Sequence, residues 1–389
     1  MSSTYLVTGA AGFIGSNFLD ILVADQEDKR VVVLDKLTYC GNIMSIRHLI
    51  DSGRIEFVKG DIADSELVAS LLDRYKPQYV INFAAESHVD RSVDDPTPFI
   101  KSNFEGVFNL LECCRRQRSA QLASKAEPTL KKYVQISTDE VYGDLEVCAP
   151  RPGHKDEAAQ LGRTYEMYGE DAFTESYPLK GSSPYSASKA SADLLTLSYY
   201  RSFGLPVTIT RCSNNYGPRQ FPEKLIPLVI NNILHGKALP VYGQGTNVRD
   251  WIHVDDHARG ILAAARHGKP GEVYNFGGYS EKQNIDIVKS LISIVKDAAA
   301  EMPSVAAAYP AALDASDSLI TYVTDRPGHD RRYAIDALKA MTTLGWRPLM
   351  RFDEGLASTV RWYLENLGWV KSIVDGDYRD YYEHMYANR

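Results

Sequence analysis

The chain has 389 residues, of which 44% are hydrophobic and 24% charged, so it can bury a large core as one large or two closely joined domains. Its formal net charge of −7 at pH 7 argues against nucleic-acid binding, and any anionic ligand must be held by a few local arginines and lysines. The start of the chain lacks the pattern of a secretory signal and no apolar run reaches membrane-spanning length, so we expect a cytoplasmic protein with no membrane partner.

The N-terminal segment predicts a strand, turn, helix and strand that bind a dinucleotide. A short apolar strand precedes Gly9, Gly12 and Gly15, a helical pattern follows, and a second strand ends at Asp35. Glycines let the backbone turn tightly and approach a pyrophosphate, which then lies at the helix N-terminus. Asp35 is the expected acceptor for an adenosine ribose hydroxyl. Because an acid there would repel a 2′-phosphate, we expect NAD as the cofactor.

Strands and helices alternate along the next part of the chain. Strands are predicted at residues 55–59, 79–83, 133–136 and 206–211, and helices at residues 65–75, 99–116 and 185–203. This alternation predicts an α/β fold with a doubly wound parallel Rossmann sheet and a second, smaller α/β substrate-binding domain. We expect residues 1–212 to form the NAD-binding domain, with 243–276 returning to it. Residues 213–242 and 277–389 are then the second domain.

A hydroxyl and two carboxylates follow the predicted strand at residues 133–136. Thr138, Asp139 and Glu140 would lie at the lip of a pocket, because ligands of an open parallel sheet bind outside the carboxyl ends of its strands. A general acid and a general base could stand there side by side. The alternative is that Thr138 and Asp139 cap the next turn and that Glu140 is a solvated charge.

Tyr185 and Lys189 form a second candidate catalytic pair. They lie four residues apart near the start of a predicted helix and therefore share one face of it. A cation held near a phenol lowers its pKa from about 10 toward the working range of a base. By itself this spacing is common on protein surfaces, but beside a predicted NAD fold and Thr138 it indicates the base of a hydride-transfer enzyme.

Taken together, these motifs resemble the extended short-chain dehydrogenase/reductase family, whose members mostly act on nucleotide sugars. The likeness is to the sugar 4,6-dehydratases within that family, and it extends through residues 35–39, 84–92, 137–144, 213–218, 221–227, 247–251 and 325–330. Asp139 and Glu140 distinguish those dehydratases from the sugar 4-epimerases, which lack the two acids. The resemblance implies a nucleotide-diphosphate sugar as substrate, with dTDP-glucose favoured over a UDP sugar, and a homodimer.

The family resemblance also implies which residue carries out each proton transfer of the reaction. Tyr185, assisted by Lys189 and Thr138, would take the proton of the C4 hydroxyl during oxidation to a ketone. Glu140 would take the C5 proton and Asp139 would protonate the departing C6 hydroxyl, although the two acids could exchange roles.

Motifs and resemblance together give two sets of binding residues. The cofactor set is Gly9, Gly12, Phe13, Ile14, Gly15, Asp35, Lys36, Leu37, Thr38, Asp61, Ile62, Ala84, Ala85, Ser102, Tyr185, Lys189 and Asn215. The substrate set is Ser87, Thr138, Asn214, Lys224, Leu225, Pro240, Tyr242, Arg249, Asn284, Arg326 and His329. Two other functions remain open: a nucleotide-sugar 4-epimerase with the same NAD chemistry, and an NAD-sensing protein without catalysis.

No metal site is expected. His253 and His257 have the spacing of two ligands on a helix, but the apolar neighbours of His253 place it at the end of a strand, with Asp255 or Asp256 as the helix cap. The 5 cysteines fit neither a disulfide framework nor a Cys-x-x-Cys zinc site.

Three segments receive no chemical role. Residues 145–180 have the length of a lid or an interface element, with a solvated loop as the alternative. Residues 296–317 are rich in alanine and form an apparent insertion, and residues 377–386 are rich in tyrosine.

Overall fold

The computed structural model describes residues 3–145, 151–152, 166–167, 171–325 and 328–374. Its strands are β1 (Ser3–Thr8), β2 (Lys29–Asp35), β3 (Glu56–Lys59), β4 (Tyr79–Asn82), β5 (Lys132–Ile136), β6 (Arg151–Pro152), β7 (Glu166–Met167), β8 (Val207–Cys212), β9 (Asn214–Tyr216), β10 (Leu239–Tyr242), β11 (Val248–His253), β12 (Val273–Phe276), β13 (Glu281–Gln283) and β14 (Ile320–Val323). Its α-helices are Phe13–Ala24, Arg47–Asp51, Ser65–Tyr75, Val89–Asp94, Thr97–Ile100, Val107–Ala123, Pro184–Phe203, Leu225–Leu234, Val254–His267, Asn284–Glu301, Pro303–Ala308, Leu338–Leu344, Phe352–Glu365 and Leu367–Val374.

Seven parallel strands form the central sheet, in the order β12-β8-β5-β4-β1-β2-β3. The order reverses between β1 and β4, which is the arrangement of a doubly wound Rossmann sheet. The predicted fold class is confirmed. β2 shows why these segments form inner strands, since residues 31–34 read Val-Val-Val-Leu and all are buried.

Helices cover both faces of the sheet. On one face, the Phe13–Ala24 and Val254–His267 helices bury Phe18, Leu22 and Ile261 against the sheet. The Ser65–Tyr75, Val107–Ala123 and Pro184–Phe203 helices contribute to a separate core that includes Leu110 and Ala192. Both cores fix the ends of the strands, which carry the candidate catalytic residues.

Local signals set the helix boundaries. The first helix begins at Phe13 after Gly12, and the helix that carries Tyr185 begins at Pro184, where Ser183 and Ser186 form a capping box. The single helix predicted at 99–116 is wrong in detail. Its chain forms a short helix at Thr97–Ile100, a π-helical turn at Lys101–Gly106 and then the Val107–Ala123 helix.

A second packed unit follows β8. It contains the mixed sheet β13-β11-β9, the parallel pair β10 and β14, and the helices Leu225–Leu234, Asn284–Glu301 and Phe352–Glu365 around a second hydrophobic core. β12 lies in the central sheet, whereas β11 does not. The division into two domains stays a prediction.

The alanine-rich segment at 296–317 packs into this second core through Val305 and Ala312. Residues 377–386 and most of 145–170 lie outside the described residues. In the part of the chain that the structure describes, no helix is both long enough and apolar enough to cross a bilayer.

Gly9 permits the close contact between β1 and β4, and this predicts a measurable difference between two glycine variants. A Cβ at Gly9 would lie 2.4 Å from the backbone nitrogen of Ala84, whereas one at Gly53 meets nothing within 4 Å, although both residues have positive φ (+68° and +66°). Gly53→Ala should lower the free energy of unfolding by about 1–2 kcal/mol, the cost of a left-handed backbone. Gly9→Ala should lower it further, because two backbone segments must separate. If urea denaturation shows equal losses of unfolding free energy in the two variants, the Cβ at position 9 is accommodated without additional cost.

Candidate active site

A cavity opens at the carboxyl ends of β1, β2, β4, β5 and β8, where the strand order reverses. Most of the predicted site residues line it: Gly9, Gly12, Phe13, Ile14, Gly15, Asp35, Lys36, Thr38, Asp61, Ile62, Ala84, Ala85, Ser87, Ser102, Thr138, Asp139, Glu140, Tyr185, Lys189, Asn214, Asn215 and Lys224. Segments separated by more than two hundred residues in the sequence therefore meet around one space, as expected for a ligand site at a switch point.

The remaining predicted residues lie outside the lining of this cavity. They are Leu37, Leu225, Pro240, Tyr242, Arg249, Asn284 and His329, and Arg326 lies outside the described residues. Two of them meet each other: the Tyr242 and His329 rings lie 6.1 Å apart, and the Tyr242 hydroxyl donates to the Asp90 carboxylate at 3.3 Å. Their roles in substrate binding stay predictions.

One end of the cavity fits a dinucleotide. The Asp35 carboxylate accepts hydrogen bonds from the backbone N–H groups of Ala11 and Leu37, both at 2.8 Å, which fixes it at the end of β2. The helix at Phe13–Ala24 starts at the cavity, and its N-cap Gly12 has no side chain to occupy the free N–H groups. A pyrophosphate at this terminus and a ribose at Asp35 match the donors and acceptors present.

The acid pair lies on a short 3₁₀ turn, Asp139–Tyr142, directly after β5. The Thr138 hydroxyl accepts from the Glu140 backbone N–H at 3.2 Å, so the capping role considered for Thr138 exists alongside its place in the cavity. Asp139 is only 2% exposed. Burial, and then the neighbouring Glu140 charge, raise the pKa of Asp139 well above its usual range. A carboxyl that keeps its proton beside one that can lose it suits a general acid and a general base.

Tyr185 and Lys189 project from the start of the Pro184–Phe203 helix into the same cavity. The Lys189 ammonium donates to the Ile136 carbonyl at 2.6 Å, and the Thr138 hydroxyl lies in the same cavity. The expected lowering of the phenol pKa is not what the structure shows. Burial, followed by the Glu140 charge, raises the pKa of Tyr185 well above its usual value, and burial lowers the pKa of Lys189.

Sequence reasoning missed several residues that line the cavity, including Glu86, Cys212, Gln220 and Glu223. Glu223 is buried, and its carboxylate lies 3.2 Å from the Arg91 guanidinium. Glu223 directly precedes Lys224, so the motif at residues 221–227, from which Lys224 was predicted, also contained Glu223. Cys212 is the last residue of β8, one position beyond the predicted strand.

The histidine pair has two separate structural roles. His253 ends β11 as expected, but His253 itself is the helix cap rather than Asp255 or Asp256, since its ring accepts from the Asp255 N–H at 3.2 Å. The buried His257 ring lies 2.9 Å from the side-chain oxygen of Asn215, and burial lowers the pKa of His257 to about 3. His257 therefore contacts a residue of the cavity.

Comparisons with known proteins agree with this geometry. Residues 5–277 match the model of the NAD dependent epimerase/dehydratase family. The chain is 45% identical over 384 residues to a dTDP-glucose 4,6-dehydratase of Salmonella typhimurium, covering 99% of both chains.

Solved structures give the same result. A dTDP-glucose 4,6-dehydratase from Streptomyces venezuelae, crystallised with NAD and TYD bound, superimposes with a TM-score of 0.79 at 40% identity, covering 95% of this chain and 99% of that one. A UDP-glucose 4-epimerase from Thermotoga maritima, solved with UDP-glucose, gives a TM-score of 0.74 at 27% identity, covering 94% and 99%. The chain belongs to the NAD-dependent epimerase/dehydratase family.

Proposed function

We propose that this chain is a dTDP-glucose 4,6-dehydratase with NAD as its cofactor, which converts dTDP-glucose into the 4-keto-6-deoxy sugar. The observation that carries the proposal is the buried acid Asp139 beside Glu140, in the same cavity as Tyr185, Lys189 and Thr138. Similarity over nearly the full length to dTDP-glucose 4,6-dehydratases supports it. The family resemblance read from the sequence is thereby confirmed.

Oxidation at C4 makes the later elimination possible, because the C5 hydrogen of a hexose is not acidic and hydroxide leaves poorly. NAD⁺ at the predicted cofactor set would take a hydride from C4 and later return it to C6. Tyr185 would take the proton of the C4 hydroxyl, with Thr138 as a hydrogen-bond donor to the phenolate and the Lys189 charge favouring it. The high pKa of the buried phenol means that this charge support is needed.

Elimination of water then falls to the two acids. The C4 ketone acidifies the C5 hydrogen, and Glu140 removes it as general base. Asp139, which burial keeps protonated, gives its proton to the departing C6 hydroxyl. Glu140 returns its proton to C5 when C6 is reduced. The proton that Asp139 gave to the leaving water is replaced by the one that Tyr185 took from the C4 hydroxyl, so that all three groups return to their starting states.

The sugar would be held by Asn214, Ser87 and Lys224, which line the cavity. The Lys224 ammonium donates to the Ser87 carbonyl at 3.0 Å. The Arg249 guanidinium lies 4.2 Å from the centroid of the Tyr333 ring. Its positive charge lowers the pKa of Asp139 and so partly opposes the effect of burial. The others of the substrate set would hold the diphosphate and nucleoside farther out: Leu225, Pro240, Tyr242, Asn284, Arg326 and His329.

Parallel incubations with dTDP-glucose and UDP-glucose test this proposal. We expect the alkali-induced absorbance of a 4-keto sugar with dTDP-glucose and a weaker signal with UDP-glucose. If neither sugar gives this absorbance and a galactose epimer forms, the chain is a 4-epimerase, a function favoured only by the likeness to the UDP-glucose 4-epimerase fold.

A homodimer is part of the same proposal. The neighbouring helices around Val107–Ala123 and Pro184–Phe203 expose a row of large apolar side chains: Ile100, Phe104, Phe108, Leu194 and Phe203, with exposures of 46%, 37%, 47%, 61% and 52%. A second copy of the chain would cover this surface, since two symmetric helix pairs can pack against each other.

Charged substitutions on this surface should lower the mass of the particle in solution from that of a dimer to that of a monomer. Phe108→Asp and Leu194→Asp should give monomers in sedimentation velocity, because a carboxylate cannot be buried unpaired in an apolar interface. Leu349→Asp is the matched control, since Leu349 is 62% exposed and lies on neither helix. A dimer that persists in both helix variants would place the interface elsewhere.

The cytoplasm is the compartment we propose. Among the described residues, Cys40, Cys113, Cys114 and Cys212 are free thiols. Unpaired buried thiols are typical of proteins that remain in a reducing compartment.

A further inference from the structure

Behind the cavity, the Lys189 side chain stands next to a buried ion pair. Asp193 lies one helical turn after Lys189 and is 0% exposed, and Arg211 on β8 is 3% exposed. The Arg211 Nε donates to one Asp193 oxygen, Oδ2, at 2.8 Å. The other oxygen, Oδ1, is buried and has no hydrogen-bond partner within the described ranges. Asp193 therefore binds Arg211 directly and stands one helical turn from the buried ammonium of Lys189.

The same arginine reaches the turn that carries the two acids. Its Nη1 donates to the Tyr142 hydroxyl at 2.9 Å, and that hydroxyl donates to the Asn275 side chain at 2.7 Å. Tyr142 is the last residue of the Asp139–Tyr142 turn. Buried hydrogen bonds thus run from Asp193, one helical turn from Lys189, through Arg211 to the turn with Asp139 and Glu140.

We propose that Asp193 and Arg211 are positioning residues: Asp193 favours the charged form of the Lys189 ammonium, and Arg211, bound to Asp193, fixes the acid-bearing turn relative to Tyr185. Neither residue lines the cavity, so both act through other side chains. The inference rests on the proposed dehydration, which needs the oxidising pair and the acid pair on the same sugar. A buried charge without a nearby counter-charge is costly, so loss of the Asp193 carboxylate is expected to disfavour the protonated form of Lys189.

Charges around Lys189 support this assignment. The charges that act on Lys189 are those of Asp193 on its own helix and Cys212 on β8. Tyr185, Asp139 and Glu140 line the same cavity, and Arg211 and Tyr142 belong to the hydrogen-bonded network that includes Asp193. Burial lowers the pKa of Lys189, and the Asp193 charge is the largest contribution that raises it again. Without Asp193, no carboxylate on the Pro184–Phe203 helix would favour the charged form of Lys189.

The first experiment compares Asp193→Asn with Glu281→Gln in the full-length enzyme. Glu281 is also a buried carboxylate, paired with Arg332 at 3.0 Å, and it does not line the cavity. Both variants lose one buried ion pair, so both should be less stable than the wild type. Only Asp193→Asn should also change the charge state of Lys189.

Unfolding in urea at several pH values separates these effects without substrate. In Asp193→Asn, the folded-state pKa of Lys189 should fall further below its unfolded-state value. Between these two pKa values the unfolded state binds more protons than the folded state, so stability rises with pH, and in the variant this pH range is wider. The stability deficit of Asp193→Asn should therefore shrink as the pH rises toward the unfolded lysine pKa. The deficit of Glu281→Gln should stay constant.

Turnover with dTDP-glucose gives the second readout. In Asp193→Asn, kcat should fall by about tenfold or more, and the alkaline limb of its pH profile should move down by about one pH unit, because Lys189 loses its proton earlier. KM should change little, since neither residue contacts the sugar. Asp193→Glu keeps the charge and should keep the alkaline limb while kcat falls.

Tyr142→Phe tests the other arm of the chain. It removes the hydroxyl that Arg211 holds, and its matched control is Tyr133→Phe, which removes another buried hydroxyl, bonded to Gln135 at 3.0 Å. Tyr142→Phe should slow elimination more than oxidation, so bound NADH accumulates after mixing with dTDP-glucose. Tyr133→Phe should show no accumulation.

The outcomes are decisive. Two results together would overturn the proposal: the stability deficit of Asp193→Asn does not vary with pH, and the alkaline limb of its pH profile of turnover does not move. The Asp193–Arg211 pair would then have only a structural role. If Asp193→Asn does not fold, unchanged kcat in Asp193→Glu would overturn it equally. Failure of the wild type to dehydrate either sugar would refute the proposed function, whereas the unfolding comparison would still test the pair.

Discussion

Tyr185→Phe should abolish product formation and leave no bound NADH after the enzyme is mixed with dTDP-glucose. The variant keeps the ring but loses the hydroxyl that takes the C4 proton, so the reaction stops before the ketone forms. General base catalysis contributes roughly 10²- to 10⁴-fold, and a loss of at least this size is expected. Product formation by a 4-keto assay and NADH by its absorbance give the two measurements.

Tyr199→Phe is the matched control on the same helix. Its hydroxyl donates to the Glu112 carboxylate at 3.1 Å, and it lies outside the lining of the cavity. Turnover close to the wild type is expected for this control. If Tyr185→Phe still forms NADH at the normal rate, another group removes the C4 proton and the assignment fails.

Glu140→Gln should nearly abolish product while bound NADH accumulates. The amide cannot take the C5 proton, but Tyr185 and Lys189 remain to support oxidation at C4. The reaction therefore stops one step later than in Tyr185→Phe, and roughly 10²- to 10⁴-fold of the overall rate should again be lost. Stopped-flow absorbance of NADH, followed by chemical quench and product assay, distinguishes the two blocks.

Glu112→Gln serves as the control for a lost carboxylate. Glu112 pairs with Arg115 on the Val107–Ala123 helix at 2.7 Å and has no part in the cavity. Glu112→Gln should lower the free energy of unfolding, but the ratio of bound NADH to product should stay as in the wild type. Full turnover in Glu140→Gln would remove Glu140 from the mechanism.

The burial of Asp139 favours Asp139 over Glu140 as the proton donor. Because burial and the Glu140 charge raise the pKa of Asp139, the acid form persists at neutral pH and is lost only as the pH rises. Loss of the acid form should therefore contribute to the alkaline limb of the elimination step. Replacement of Asp139 by Asn should remove that contribution and slow elimination.

Local patterns in the sequence were sufficient for the outline of the molecule. Glycines followed by a helix and then Asp35 predicted the dinucleotide end of the cavity, and alternating apolar runs predicted the parallel sheet. The positions of Thr138, Asp139 and Tyr185 followed as well, because the end of a parallel strand or the start of a helix fixes where the next residues lie. Helix interruption at Lys101–Gly106 escaped prediction, since no proline or glycine marks its start.

Only the tertiary structure decided the electrostatics of the site. The sequence favoured a phenol made more acidic by Lys189, whereas packing of several distant segments buries Tyr185 and raises its pKa. Asp193 and Arg211 carried no local signal, since they meet only when the Pro184–Phe203 helix packs on β8. Sequence periodicity records which residues share a face of one element, but a pKa depends on the charges and the loss of water that neighbouring elements impose.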